Sequence, residues 1–249
     1  MSVRGTGRGR RLGLTREKVT EAALKLIDRD GPDSFSLRRL ATELDVEVMS
    51  LYNHVPNKEA LLNGVAELLL ARIDFTGADT GTWQDRIRAH AIAFRAAAQQ
   101  HPKAFHLVCV RPTQSPASLQ SIRSALAALT ELGLTPEEQV HALRGYVAFM
   151  SGSIMRELGS AITVGTVDPG QVRQRIDEIT ATGDPLLSAT APHLAVSDHD
   201  VEFHYGIELL IAGLATRAGV PYDGGPPTTP RTDRGRAAWP EGGVGRGGS

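Results

Sequence analysis

The sequence predicts an all-α protein, with a small N-terminal helical module followed by a larger C-terminal helical domain. Three observations carry this. Apolar residues recur at three- and four-residue spacing in segment after segment, residues that start and stop helices stand between those segments, and no strand-like alternation of useful length occurs.

Composition bounds the answer. At 249 residues the chain suits one or two domains with a sizeable core, and the 41% apolar and 22% charged shares are those of a globular protein. The single Cys109 excludes an intrachain disulfide and a cysteine-based zinc finger, and it favours a reducing, cytoplasmic setting. No run of 18 apolar residues suggests a spanning helix, and the basic N-terminus lacks the apolar stretch of a secretory signal. The net charge of −1 hides an asymmetry: within residues 1–18, Arg4, Arg8, Arg10, Arg11, Arg16 and Lys18 face only Glu17, a local +5.

The elements follow in order. Residues 1–13, with four Gly and four Arg, read as a disordered basic arm. Thr15 can cap a helix whose Val19, Ala22, Ala23, Leu26 and Ile27 form one face, ended by Asp30-Gly31-Pro32-Asp33. Ser36 can cap a second helix carrying Leu37, Leu40, Ala41 and Leu44, and Asp45, which tolerates a left-handed turn, follows it. A short helix over about 47–54 ends at Pro56, and Asn57 can cap a fourth over about 57–74. That fourth helix is apolar on two sides (Leu61, Val65, Leu68 and Leu62, Ala66, Leu69, Ile73), as expected of a link between two bodies. The domain reading is therefore a helix-turn-helix module over 14–60, a linking helix over 61–75, a second domain over 76–220 and a disordered tail over 221–249.

In the second domain, 76–82 reads as a loop, 83–101 as a long helix ended by Pro102, 103–109 as a short helix and 116–132 as a helix stopped by Gly133. Thr135-Pro136-Glu137-Glu138 is a capping box with Pro at the first helical position, opening a helix to about 158. Residues 159–170 read as a loop, 171–181 as a helix, 182–197 as a Pro-containing stretch and 198–217 as the last helix.

Two short helices joined by a tight turn, with a preceding helix to close a small core, describe a helix-turn-helix. Leu40, Val46 and Leu51 are spaced to sit inside it, which leaves Arg38, Glu47, Val48, Met49, Ser50, Tyr52, Asn53, His54 and Lys58 outside or at its edge. Such groups suit phosphate oxygens and base edges of double-stranded DNA, and the cationic arm suits phosphates or a minor groove.

The run Ser36-Leu37-Arg38, Leu40-Ala41, Leu44, Val46, Leu51-Tyr52-Asn53-His54-Val55, Asn57-Lys58-Glu59-Ala60-Leu61-Leu62 resembles the DNA-binding domain of the tetracycline-repressor (TetR) family. A patchier resemblance to the C-terminal domain of the tetracycline repressors themselves lies in Trp83-Gln84-Asp85, Phe94, Arg111-Pro112-Thr113 and Tyr205 to Leu214. The resemblance implies a homodimer reading a palindromic operator, joined through a four-helix bundle that here would use helices about 136–158 and 198–217. It places Ser36, Ser50, Tyr52, His54 and Lys58 at phosphate-contacting positions. It places Arg38, Glu47, Val48 and Met49 at or near base-facing ones, and Asp45 where the family usually has Gly.

The resemblance also implies a small-molecule effector, but the tetracycline–metal residues are mostly absent. The family's Asn falls on His90, and the pocket Phe is kept as Phe94. The metal-binding His falls on Leu107, with His106 one residue away, while Asp74 and Arg156 stand where a ligand His and a metal-associated Glu would be. The expected effector is therefore another lipophilic or multi-ring molecule, in a pocket lined by Phe94, Phe105, Tyr146, Phe149 and Met150 with His90, His106 and Arg111 as polar handles. No cofactor or metal is expected. Gly5-Thr6-Gly7-Arg8-Gly9 lacks the strand–helix context of a nucleotide loop, and Ser151-Gly152-Ser153 does not match a nucleophile elbow, so an enzyme is not the expectation. The alternative is a helical ligand- or partner-binding protein whose DNA-binding module is weak or non-functional.

Overall fold

The computed structural model describes residues 13–111, 115–159 and 165–224. The basic arm, Pro112-Thr113 and most of the tail lie outside them. Eleven α-helices are found among the described residues: α1 (Arg16–Asp30), α2 (Leu37–Glu43), α3 (Val48–Tyr52), α4 (Lys58–Ala71), α5 (Trp83–Gln100), α6 (His106–Val110), α7 (Pro116–Leu129), α8 (Pro136–Glu157), α9 (Pro169–Thr180), α10 (Pro185–Leu194) and α11 (His199–Ala218).

Local chemistry sets most of the helix starts. Thr15, Ser36 and Asn57 each accept a hydrogen bond from a first-turn amide, from Lys18, Arg39 and Ala60 respectively. Thr135 and Glu138 close the expected capping box on α8, and Thr82 with Asp85 closes a second on α5 that the sequence reading had not marked. Asp45 takes φ 53°, the positive value its position after α2 invited.

Four readings are corrected. The third helix is one turn, because Glu47 sits extended before it (φ −73°, ψ 146°) and so is not helical. Residues 76–82 contain a 3-10 turn, Thr76–Asp79, anchored by Asp74, whose Oδ1 accepts from the Thr76 amide at 3.0 Å and its hydroxyl at 2.7 Å. The helix expected over 103–109 starts only at His106. The stretch over 182–197 holds a helix: Asp184 caps it, Pro185 occupies its first turn, and it tolerates Pro192 inside.

Helix α4 is buried on both sides, through Leu61, Leu62, Val65, Ala66, Leu69 and Leu70. It packs on α1 on one side and on α6 and α7 on the other, so the buried residues of both modules form one continuous cluster. The C-terminal body is built by α5, α7, α8 and α11 packing on one another. Helices α9 and α10 pack on each other; α9 buries nothing and α10 buries Ala191. Their base is pinned where the Thr166 amide donates to Ala195 O (3.0 Å) and the Ser197 amide to Thr166 O (3.1 Å). No described helix is long and apolar enough to cross a membrane.

Candidate functional site

The turn after α2 is held by two buried anchors, Leu40 and Leu51, both fully inaccessible, while Val46 is half-buried against them. This core turns the other faces of α2 and α3 outward. Met49 is 70% exposed and Tyr52 44% exposed, so both side chains of this short helix stand clear of the core. Arg38 and Glu47 are exposed, and Ser50 and His54 half-exposed. Val48 is drawn partly inward against the core, so it offers less surface than its neighbours.

Two adjacent arginines have different fates. Arg39 is tied to Asp30 Oδ2 at 2.6 Å and donates to Ser34 O at 2.9 Å. Arg38 makes no ion pair among the described residues and remains exposed. Ser36 spends its hydroxyl on the Arg39 amide at 3.3 Å. Lys58 Nζ donates to Phe35 O at 2.8 Å and stands 5.7 Å from the centre of the Phe35 ring, which fixes its ammonium beside the start of α2 with donors to spare. His54, Ser50, Asn53 and Asp45 border a groove of about 1100 Å³ that continues to Glu17, Lys18 and Gly13 at the start of α1.

The second region lies where α5, α7 and α8 meet. His90 is 3% exposed; its Nδ1 lies 2.7 Å from the Tyr146 hydroxyl and its Nε2 3.3 Å from Ser121 O. Burial pushes His90 down to about 4 and Tyr146 well up, so both are neutral near pH 7. Phe75 stacks on the imidazole at 4.5 Å, Phe94 lies near-parallel to it at 6.4 Å, and Phe105 meets Phe94 edge-on at 5.1 Å. Met150, 2% exposed, follows one turn after Tyr146 on α8.

The structure thus brings together His90, Phe94, Phe105 and Tyr146, with Phe75 and Ser121, which no sequence signal marked. Phe149 and Arg111 are engaged elsewhere. Phe149 packs against Phe203 of α11 (6.1 Å). Arg111 is held by Glu59 (2.7 Å) and Asn63 (2.9 Å) of α4, so it is a strut between the two modules. His106 is half-exposed with a buried, unpartnered Nδ1. The positions at which the resemblance would put drug–metal ligands are committed elsewhere: Asp74 anchors its turn, Arg156 pairs with Glu202, and the neighbouring Glu157 grips Arg95 at 2.7 and 3.0 Å. Among the described residues no cluster of three or more His, Cys, Asp or Glu could hold a metal.

An outward-facing helix-turn-helix joined by a doubly buried helix to a helical body with a buried polar–aromatic centre defines a DNA-binding regulator of the two-domain helical class. The comparisons agree. The profile described as "Bacterial regulatory proteins, tetR family" matches residues 19–65, and "Tetracyclin repressor-like, C-terminal domain" matches residues 77–218. The chain belongs to the TetR family and is a DNA-binding transcriptional regulator that a small-molecule effector releases. It is similar to the class E tetracycline repressor protein of Escherichia coli (27% identical, covering 82% of this chain and 92% of that one). It is also similar to the HTH-type transcriptional repressor DrrR1 of Streptomyces coeruleorubidus (29% identical, covering 85% and 81%). Among solved structures it resembles the Streptomyces coelicolor TetR family protein ActR in complex with actinorhodin (TM-score 0.73, 25% identical, covering 83% and 99%).

Proposed function

We propose that the chain acts in the cytoplasm as a homodimeric repressor, not an enzyme, whose paired α2–α3 units read a palindromic operator. A lipophilic or multi-ring effector other than a tetracycline–metal complex releases it. The observation that carries the DNA reading is the outward display of Arg38, Met49 and Tyr52 on a module whose buried side is complete. Arg38 would read a guanine, Met49 a thymine methyl, and Ser36, Ser50, Tyr52, His54 and Lys58 would hold phosphates.

Dimerisation through α8 and α11 is supported by the apolar groups those helices leave outside. Val147 is 42%, Tyr205 49% and Leu209 56% exposed in the single chain. The effector reading is supported by the neutral His90–Tyr146 pair among stacked rings, where a planar aromatic could part the rings and take over the hydrogen bonds. ActR, similar in fold, is solved in complex with actinorhodin, so a relative's helical body takes a small molecule. Release requires that the ligand bind the DNA-incompetent conformer better than the competent one. Helix α4, gripped from both sides, is the lever.

Duplexes selected from a random pool by the purified protein test this directly. The expected product is an inverted repeat bound with a steep salt dependence and released by a lipophilic multi-ring compound, with no added metal needed. A pool that stays random after selection overturns the reading.

A further inference from the structure

Beyond α4, a second connection joins the two modules, at the last turn of α1. His101, which closes α5, places Nδ1 2.6 Å from Asp28 Oδ2. Two residues on, Lys103 Nζ donates to Arg29 O at 2.7 Å. That carbonyl lies in the last turn of α1, where helix carbonyls lack intrahelical partners and the helix dipole favours a cation, so the ammonium sits where it is doubly matched. Asp28 Oδ1 is buried and has no hydrogen-bond partner among the described residues, so His101, on Oδ2, is the group that holds this carboxylate.

The same turn of α1 grips α2. Arg29 forms paired bonds to Glu43 (3.2 and 3.1 Å) and to Asp30 (3.1 and 3.2 Å), and Asp30 in turn holds Arg39. Asp28, Arg29 and Asp30 therefore face the C-terminal body through His101 and Lys103, and face helix α2 through Glu43 and Arg39. At the other end of this chain of contacts, α5 runs unbroken from His90 to Gln100, about 15 Å along its axis, with His101 as its cap.

We propose that the last turn of α1 is a second coupling node. The His101–Asp28 and Lys103–Arg29 clasp fixes it to the rod that carries His90, and the Arg29–Glu43 and Asp30–Arg39 pairs pass its position to α2. Motion at the aromatic centre then reaches the helix-turn-helix by a path that does not use α4. His101 and Lys103 are positioning residues, since neither lies on the outward face of α2 or α3. The regulatory meaning rests on the function proposed above; the mechanical link does not.

Amide hydrogen exchange on the free, full-length protein tests the link without DNA or effector. His101→Leu combined with Lys103→Met should raise exchange about tenfold over residues 28–43, in the other module, while α4 amides keep their wild-type rates. His101→Asn, which keeps a donor near the Nδ1 position, should restore the wild-type pattern. A rise confined to residues 98–106, an equal rise in α4, or no rescue by Asn overturns the proposal. A protein that shows the expected pattern yet selects no duplex would sink the DNA reading alone.

Discussion

The ring of Phe149 on α8 occupies the space that a side chain at Gly206 on α11 would need: a Cβ there would stand 2.1 Å from the Phe149 Cζ and 2.3 Å from its Cε2. The absence of a side chain at 206 is what lets the two helices close at this point, with Phe149 reaching Phe203 at 6.1 Å. Gly206→Ala should therefore destabilise the fold by about 1–3 kcal/mol in denaturant unfolding, the usual cost of overpacking. Phe149→Leu should recover part of that loss in the double variant; strictly additive losses would contradict the contact.

The outer faces of the same helices carry the proposed dimer contact. Leu209→Arg, at a position 56% exposed in the single chain, should leave the fold intact by circular dichroism and shift the protein to monomer in sedimentation. Operator affinity should then fall at least about tenfold, because one module loses its tethered partner. A dimer that survives this substitution would place the contact elsewhere.

Asp45 holds φ 53°, the one positive value among the described non-glycine residues. Asp45→Gly removes the Cβ penalty but loosens the unfolded chain, so the gain should be small, up to about 1 kcal/mol. Asp45→Val should lose more than that in the opposite direction, since a β-branched residue resists the left-handed region. Thermal unfolding of the pair distinguishes backbone strain from side-chain contacts.

His90 makes stability pH-dependent. Burial holds its folded-state value at about 4, below the ordinary 6.5, so the unfolded chain binds a proton first as pH falls. The stabilisation is complete above about pH 6.5 and is lost progressively towards pH 4. Between about pH 7.5 and pH 5 this amounts to about 2 kcal/mol. His90→Gln should flatten that part of the stability profile relative to wild type. An unchanged slope would mean that other groups carry it.

Arg38 and Lys58 should fail differently. Arg38 is exposed and makes no ion pair among the described residues, so Arg38→Ala should relax preference at one base position, with about 1–3 kcal/mol of discrimination lost. Lys58 is pinned at Phe35 O, so Lys58→Ala should weaken all duplexes alike and lower the salt slope by about 1. Equal, non-selective losses in both variants would refute the division of roles.

Much of the architecture was legible before any coordinates because it is written in local chemistry. The caps at Thr15, Ser36, Asn57 and Thr135, the left-handed Asp45 and the two-sided apolar pattern of α4 depend on residues within a few positions of one another. For the same reason, the outward residues of α2 and α3 could be picked by elimination once Leu40 and Leu51 were taken as core. Helix α10 escaped because its two prolines read as breakers, although Pro185 falls where a helix tolerates it.

The sequence by itself determined that the chain is helical, where most helices begin, and which short segment turns its polar face outward. The three-dimensional packing alone decided which distant residues meet. His90 finds Tyr146 and Ser121, Arg111 turns to Glu59 rather than to a ligand, and His101 reaches back to Asp28. The reason is range: helix periodicity and capping act over one or two turns, whereas a contact across 56 or 73 residues depends on how whole helices pack, and no local pattern encodes that.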